Sequence, residues 1–114
     1  MKIYHNNRCA KSRDSFKLLQ SKGVDFETIE YLKTPPNKAE ITNLLVKLNM
    51  PAKDLIRKGE AVYKENYKGK ELSEEEWIDA MVQHPKLIER PIVVKGDKAV
   101  IGRPIDKVEE LLAN

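Results

Sequence analysis

Cysteine and histidine are scarce in this sequence of 114 residues, which contains one cysteine and two histidines. A single cysteine cannot form a disulfide within the chain, so a disulfide framework is excluded. One cysteine and two histidines are also too few for the usual ligand set of a structural zinc site, and we expect no bound metal. Any redox cycle at the cysteine must therefore borrow a thiol from another molecule.

Long apolar runs are also missing, and no basic-then-apolar leader opens the sequence. We therefore expect a cytoplasmic protein that makes no contact with a membrane. The net charge of +3 is mild, and it suits small anions better than nucleic acid, which usually meets a denser basic stripe. With 40% hydrophobic and 34% charged residues, the composition is typical of a globular protein, and the length predicts a single domain over residues 1–114.

The periodicity of apolar residues predicts a mixed α/β fold. A strand, a helix and a second strand open the chain, helices fill the middle, and two strands around Gly96-Asp97 precede a last helix. This order, β-α-β then β-β-α, predicts a thioredoxin-like mixed sheet with a helical insertion at about 37–84, between the second and third strands. The predicted elements are strand 2–5, helix 10–22, strand 26–32, short helices 52–58 and 61–67, the hairpin 91–102 and helix 106–112.

Two helix starts and one helix end are marked in the insertion. Asn37 with Glu40, and Ser73 with Glu76, stand in the register of a capping box. His84, which precedes a proline, is predicted to cap the end of a helix. The apolar stripes between these residues predict core positions, and we assign them no catalytic role.

Cys9 falls where the first strand gives way to the first helix. The free N–H groups and the dipole of a first helical turn stabilise a thiolate or a bound oxyanion. Arg8, Lys11 and Arg13 add positive charge, a setting that lowers the pKa of a thiol. The alternative is a buried cysteine that acts as a small hydrophobic residue, but its polar and basic neighbours favour a reactive thiol.

Five segments stand in order along nearly the whole chain: His5-Asn6-x-x-Cys9, Tyr31 to Pro36, Leu55-Ile56-Arg57, His84 to Val94 and Ile101 to Pro104. Together they resemble the glutaredoxin-coupled arsenate reductase family. The resemblance implies a thioredoxin-like fold and a cytoplasmic enzyme that reduces arsenate to arsenite. It also implies glutathione as co-substrate, glutaredoxin as partner and no tightly bound cofactor.

The same resemblance implies which residues carry the chemistry. The family nucleophile falls on Cys9, and the three arginines that bind the oxyanion fall on Arg57, Arg90 and Arg103. A planar guanidinium fork suits a tetrahedral dianion and can stabilise charge that develops as sulfur attacks arsenic. For each arginine a solvated side chain or a surface salt bridge is the alternative.

Five further positions are implied as supports for substrate binding. His5 matches the histidine before the nucleophile loop, where it either lowers the pKa of the thiol or is simply a hydrogen-bonded, partly buried side chain. Asn6 matches the loop asparagine, and Pro91 matches the proline that follows a cis peptide bond in thioredoxin-like folds. Arg8, just before the nucleophile, is a feature that this chain shares with a subgroup of arsenate-reductase-related proteins. Ser12 is a candidate hydrogen-bond donor to the thiolate.

One departure from the family pattern and three alternative functions accompany this hypothesis. Asn7 stands where the family usually has proline, which predicts a looser nucleophile loop. A glutathione-dependent thiol reductase with another substrate is the first alternative. A polymerase-binding regulator of the same superfamily is the second, although Ser12 replaces the second cysteine of its usual switch. A phosphatase-like arsenate reductase is excluded, because Ser15 occupies the arginine position of Cys-x5-Arg.

Overall fold

The computed structural model describes residues 1–113. Within them, four strands form one mixed sheet, and six α-helices lie between or after these strands in the sequence. The strand order is β2-β1-β3-β4, with β2 parallel to β1 and the other pairs antiparallel. The elements are β1 (Lys2–Tyr4), α1 (Ala10–Ser21), β2 (Glu27–Ile29), α2 (Lys38–Leu48), α3 (Ala52–Leu55), α4 (Ala61–Asn66), α5 (Glu74–Gln83), a 3₁₀ helix (Pro85–Leu87), β3 (Ile92–Lys95), β4 (Lys98–Ile101) and α6 (Asp106–Ala113).

The chain divides into two compact units. The first comprises the described residues of Met1–Thr34 and Arg90–Asn114 and contains the sheet; the second, Pro35–Glu89, is helical. The mixed α/β fold with helices inserted between β2 and β3 is therefore confirmed. The single domain and its insertion limits of about 37–84 stay predictions.

In the first unit, the register of the sheet explains why the predicted site residues can meet. Tyr4 pairs with Ile92, and Ile92 pairs with Ile101. The loop after β1, the segment before β3 and the segment after β4 therefore leave the sheet at the same end. Leu19 of α1 and Val108 of α6 lie in a fully buried cluster, and each such side chain stabilises the fold by about 1.5–3 kcal/mol.

In the second unit, α5 is the element against which α2, α3 and the 3₁₀ helix pack. Both predicted capping boxes are present: Asn37 caps α2 with Glu40, and Ser73 caps α5 with Glu76. His84 is the C-cap of α5, as predicted. The core of this unit consists of apolar side chains on these helices, among them Ile41, Leu44, Leu45, Leu55, Trp77, Ile78, Met81 and Leu87.

Two predicted elements exceed the observed ones by three residues or more. The strand predicted over 26–32 is limited to Glu27–Ile29, because the chain then turns and the N–H of Lys33 donates to the carbonyl of Glu30 at 2.9 Å. The helix predicted over 52–58 ends at Leu55. Its next residue, Ile56, forms an antiparallel bridge with Ile88 instead.

Candidate active site

Cys9 is the N-cap residue of α1, with extended backbone at φ −94° and ψ 123°. Its carbonyl accepts the N–H of Arg13 at 3.0 Å, which starts the helix, and its N–H donates to the carbonyl of Asn6 at 3.0 Å. The first turn of α1 contains no acidic residue. As the N-cap residue, Cys9 lies at the positive end of the helix dipole. Because its thiol is only half-buried, a small reagent can still reach it.

Several groups of the first unit act on the pKa of Cys9. Burial raises the pKa, but hydrogen bonds from the backbone N–H groups of Ser12 and Lys11 and from the Arg90 guanidinium lower it, and they outweigh burial. The net result is a thiol pKa below its ordinary value. These contacts favour the thiolate form of Cys9, which is the form that acts as a nucleophile.

Arg103 is joined to both Cys9 and Arg90. Its Nη2 donates to Cys9 Sγ at 3.3 Å, while its Nε donates to the Arg90 carbonyl at 2.7 Å. The Arg90-Pro91 peptide bond is cis, as the resemblance implied, and so is Arg103-Pro104, which was not anticipated. Two guanidinium groups from separate segments thus flank one sulfur atom, an arrangement that attracts an oxyanion to the nucleophile.

His5 and Ser12, both buried, form a polar cluster with the half-buried Asn6 of the nucleophile loop. His5 Nδ1 lies 2.6 Å from Ser12 Oγ, which accepts the Asn6 N–H at 3.0 Å. Burial lowers the pKa of His5, Glu30 opposes that change, and Arg13 adds to it. His5 Nδ1 and the Ser12 hydroxyl share one hydrogen bond, and the tautomer of the ring determines which of them donates. The side chain of Ser12 therefore forms its hydrogen bonds with His5 and Asn6. Its backbone N–H is the group that hydrogen-bonds to Cys9.

Asn7 and Arg8 lie at the exposed tip of the loop. Asn6 Oδ1 accepts the Arg8 N–H at 3.0 Å, and the carbonyl of Asn7 accepts Arg13 Nη1 at 3.2 Å. Asn7 Nδ2 donates to Glu30 at 3.4 Å. These contacts hold the loop around Asn7 in place. A cavity of about 250 Å³ adjoins the loop, with further walls from Glu30, Leu32 and Lys33.

Arg57 lies in the second unit. Its N–H donates to the carbonyl of Leu87 at 2.7 Å, beside the bridge that ends α3. Its Nε is 3.7 Å from Glu89 Oε1 and 4.0 Å from Glu60 Oε1. Its Nη1 is buried and has no hydrogen-bond partner among residues 1–113. Arg57 thus combines two carboxylate neighbours with one unused donor.

Sequence reasoning missed two residues that shape the site. Gly102, between β4 and Arg103, is buried against Ser15 of α1 and the ring of Pro91. Glu30 holds Asn7 and acts on the pKa of His5. Because Gly102 lies within one of the five family-like segments, the sequence offered a hint that this position accepts no side chain. The local sequence offered no hint of the role of Glu30.

Within residues 1–113, no group of three or more His, Cys, Asp and Glu side chains is arranged to hold a metal ion. None of the helices in that range is long and apolar enough to cross a membrane.

A mixed sheet of order β2-β1-β3-β4, with one cysteine at the N-terminus of α1, defines a thioredoxin-like protein with a single-thiol site. The profile of the ArsC family matches residues 4–111, and the chain belongs to this family. A curated relative from Escherichia coli K12, "Uncharacterized protein YfgD", is 50% identical over 98% of this chain and 96% of its own. An "Arsenate reductase" of Neisseria meningitidis is 38% identical over 98% and 97%.

The solved structures agree with this assignment. "Arsenate reductase from Vibrio cholerae" superposes with a TM-score of 0.91 at 41% identity, and the match covers 96% of this chain and 97% of that one. Membership of the ArsC family and the thioredoxin-like fold are therefore confirmed.

Proposed function

We propose that this protein is a thiol-dependent arsenate reductase with Cys9 as its nucleophile. The observation that carries the proposal is the activated thiol, which has Arg103 Nη2 at 3.3 Å and the Arg90 guanidinium as a second cationic neighbour. Membership of the ArsC family, in which relatives named arsenate reductase are 38% identical to this chain, supports the choice of substrate.

Arsenate is a tetrahedral oxyanion that is largely dianionic at neutral pH, and an approaching thiolate would be repelled by it. Arg90 and Arg103 offset this repulsion and stabilise the charge of the transition state. Arg57 is the third oxyanion-binding residue in the proposal. It enters the proposal through the resemblance of the Leu55-Ile56-Arg57 segment to the family.

The first step joins the Cys9 thiolate to arsenic(V). A sulfur–arsenic bond forms as an arsenic–oxygen bond breaks, and the hydroxyl oxygen of hydrogen arsenate takes one proton from solvent and leaves as water. A glutathione thiolate then attacks the Cys9 sulfur, and the electron pair of the sulfur–arsenic bond passes to arsenic. The products are arsenic(III), as arsenite, and a mixed disulfide between Cys9 and glutathione. Two thiols have lost two electrons, and arsenic has gained them.

Glutaredoxin completes the cycle in this proposal. Its thiolate attacks the glutathione sulfur of the mixed disulfide and returns Cys9 as a thiolate. The chain cannot do this by itself, because Cys9 is its only cysteine. Arg8 and Lys33, which line the cavity beside the loop, offer cationic groups to the carboxylates of glutathione. A reducing compartment such as the cytoplasm would supply both donors.

The test is arsenite production by the purified protein with arsenate, glutathione and glutaredoxin. We expect turnover by the wild type, and a loss of at least about a thousandfold in Cys9→Ser because the nucleophile is removed. Lys17→Ala, which removes one exposed positive charge elsewhere on α1, is the matched control and should retain turnover.

Failure of this test separates the alternatives. A reactive thiol without arsenite production would overturn arsenate reduction and favour a glutathione-dependent thiol reductase with another substrate. In that case glutathionylated peptides, offered in place of arsenate, should be reduced in a Cys9-dependent manner.

A further inference from the structure

Gly102 occupies a position where there is no room for a side chain. A Cβ atom built on it would lie 2.5 Å from Ser15 Oγ, 2.9 Å from Pro91 Cγ and 3.2 Å from Val108 Cγ2. Favourable contacts between such atoms are about 3.5–4.0 Å. The glycine is not required by its backbone conformation, since the glycines with positive φ are Gly23, Gly69 and Gly96. This position therefore requires glycine because a side chain would not fit.

The backbone at Gly102 connects three segments of the candidate site. Its N–H donates to the carbonyl of Pro91 at 2.9 Å. The following residue, Arg103, reaches the Arg90 carbonyl with Nε and Cys9 Sγ with Nη2. On the other side, Ser15 belongs to α1, the helix that begins at Cys9. A side chain at Gly102 must displace α1, the Arg90-Pro91 segment or the backbone of Arg103.

We propose that Gly102 is a positioning residue: by leaving no side chain between α1 and Pro91, it sets the distance from the Arg103 guanidinium to the Cys9 sulfur. Each of the three displacements above moves a group that acts on the thiol. The catalytic consequence rests on the proposed function, but the effect on the thiol does not.

Ser15 provides a way to separate positioning from simple packing. Its Oγ is the atom that a Cβ on Gly102 would approach most closely, and it is buried without a hydrogen-bond partner among the described residues. Ser15→Ala therefore removes the worst collision without breaking a hydrogen bond. The contact with Pro91 Cγ at 2.9 Å remains, so relief in the double variant should be partial.

The experiment compares Gly102→Ala, Ser15→Ala and the double variant with wild type. Gly59→Ala is the matched control, because a Cβ at that exposed glycine meets nothing within 4 Å. The readouts are the pH dependence of Cys9 alkylation and kcat/KM for arsenate. We expect Gly102→Ala to raise the thiol pKa and to lower kcat/KM by about tenfold to 100-fold, the range that a displacement of about 1 Å can cause.

The pattern across the variants decides the proposal. Ser15→Ala and Gly59→Ala should match wild type, and the double variant should recover part of both losses. An unaltered thiol pKa in folded Gly102→Ala would overturn the positioning role. If Gly102→Ala does not fold, a raised thiol pKa in the double variant relative to Ser15→Ala supports the proposal, and an equal one overturns it. Absence of arsenate turnover in wild type would remove the proposed function and leave the thiol measurement valid.

Discussion

Arg103 in the first unit and Arg57 in the second have different neighbours. Arg103 is held through a neutral carbonyl and directs a nitrogen at the sulfur, 3.3 Å away. Arg57 has carboxylate oxygens of Glu89 and Glu60 at 3.7 and 4.0 Å from its Nε, and keeps one buried nitrogen without a partner among the described residues. One arginine thus contributes its charge to the thiol, while the charge of the other is partly balanced within its own unit.

This difference indicates that two arginines matched to the same family pattern need not contribute equally to oxyanion binding. A carboxylate neighbour lowers the net positive charge that a guanidinium offers to an incoming dianion. The Arg90 carbonyl orients Arg103, whose Nη2 contacts the sulfur directly. We therefore expect Arg103 to contribute more to catalysis than Arg57.

The largest effect is predicted for Arg103→Ala. Loss of a donor that stabilises transition-state charge costs about 100-fold or more, so kcat/KM for arsenate should fall by about 100-fold. Arg103→Lys should recover only part, because an ammonium lacks the planar fork. Steady-state kinetics measures both, with Lys17→Ala as control.

A smaller effect is predicted for Arg57→Ala. Since Glu89 and Glu60 already balance part of its charge, we expect a fall of about tenfold in kcat/KM. Lys58→Ala, which removes the exposed neighbouring charge, should stay near wild type. If Arg57→Ala proved more damaging than Arg103→Ala, the distinction between the two arginines would be wrong.

The two buried serines of α1 sharpen the comparison within the first unit. Ser12 Oγ contacts His5 Nδ1 and the Asn6 N–H, whereas Ser15 Oγ has no partner among the described residues. Ser12→Ala leaves buried polar groups unsatisfied and should lower the free energy of unfolding by about 1–2 kcal/mol. Ser15→Ala should leave it nearly unchanged. Chemical denaturation measures both, and equal losses would contradict the assignment.

The smallest effect is predicted for the pH dependence of stability. The pKa of Cys9 is lower in the folded state, so the thiolate favours folding above that pKa. The advantage is lost as pH falls through the folded-state pKa. The unfolding free energy of wild type minus that of Cys9→Ser should therefore rise with pH up to the ordinary thiol range near about 8.5. A flat or falling difference would contradict this prediction.

Local signals in the sequence were sufficient for some of these features. The capping boxes at Asn37 and Ser73 depend on residues three positions apart, and the sequence order at Cys9 shows a strand followed by a helix. Pairing between distant residues left no such signal. The bridge between Ile56 and Ile88 ended α3 three residues before its predicted end.

The composition of the site illustrates the same limit. The family resemblance nominated Arg90 and Arg103, and the structure brings both to Cys9. The close approach of Gly102 to Ser15 joins residues far apart in sequence, so no periodicity reveals it.

The most direct measurement is the rate of Cys9 alkylation as a function of pH, in wild type and in Arg90→Ala. We predict a thiol pKa below that of a free cysteine, about 8.5, in wild type. Removal of the Arg90 guanidinium, which stabilises the thiolate, should move the pKa upward. An ordinary thiol pKa in wild type, unchanged in Arg90→Ala, would contradict an activated thiolate at Cys9.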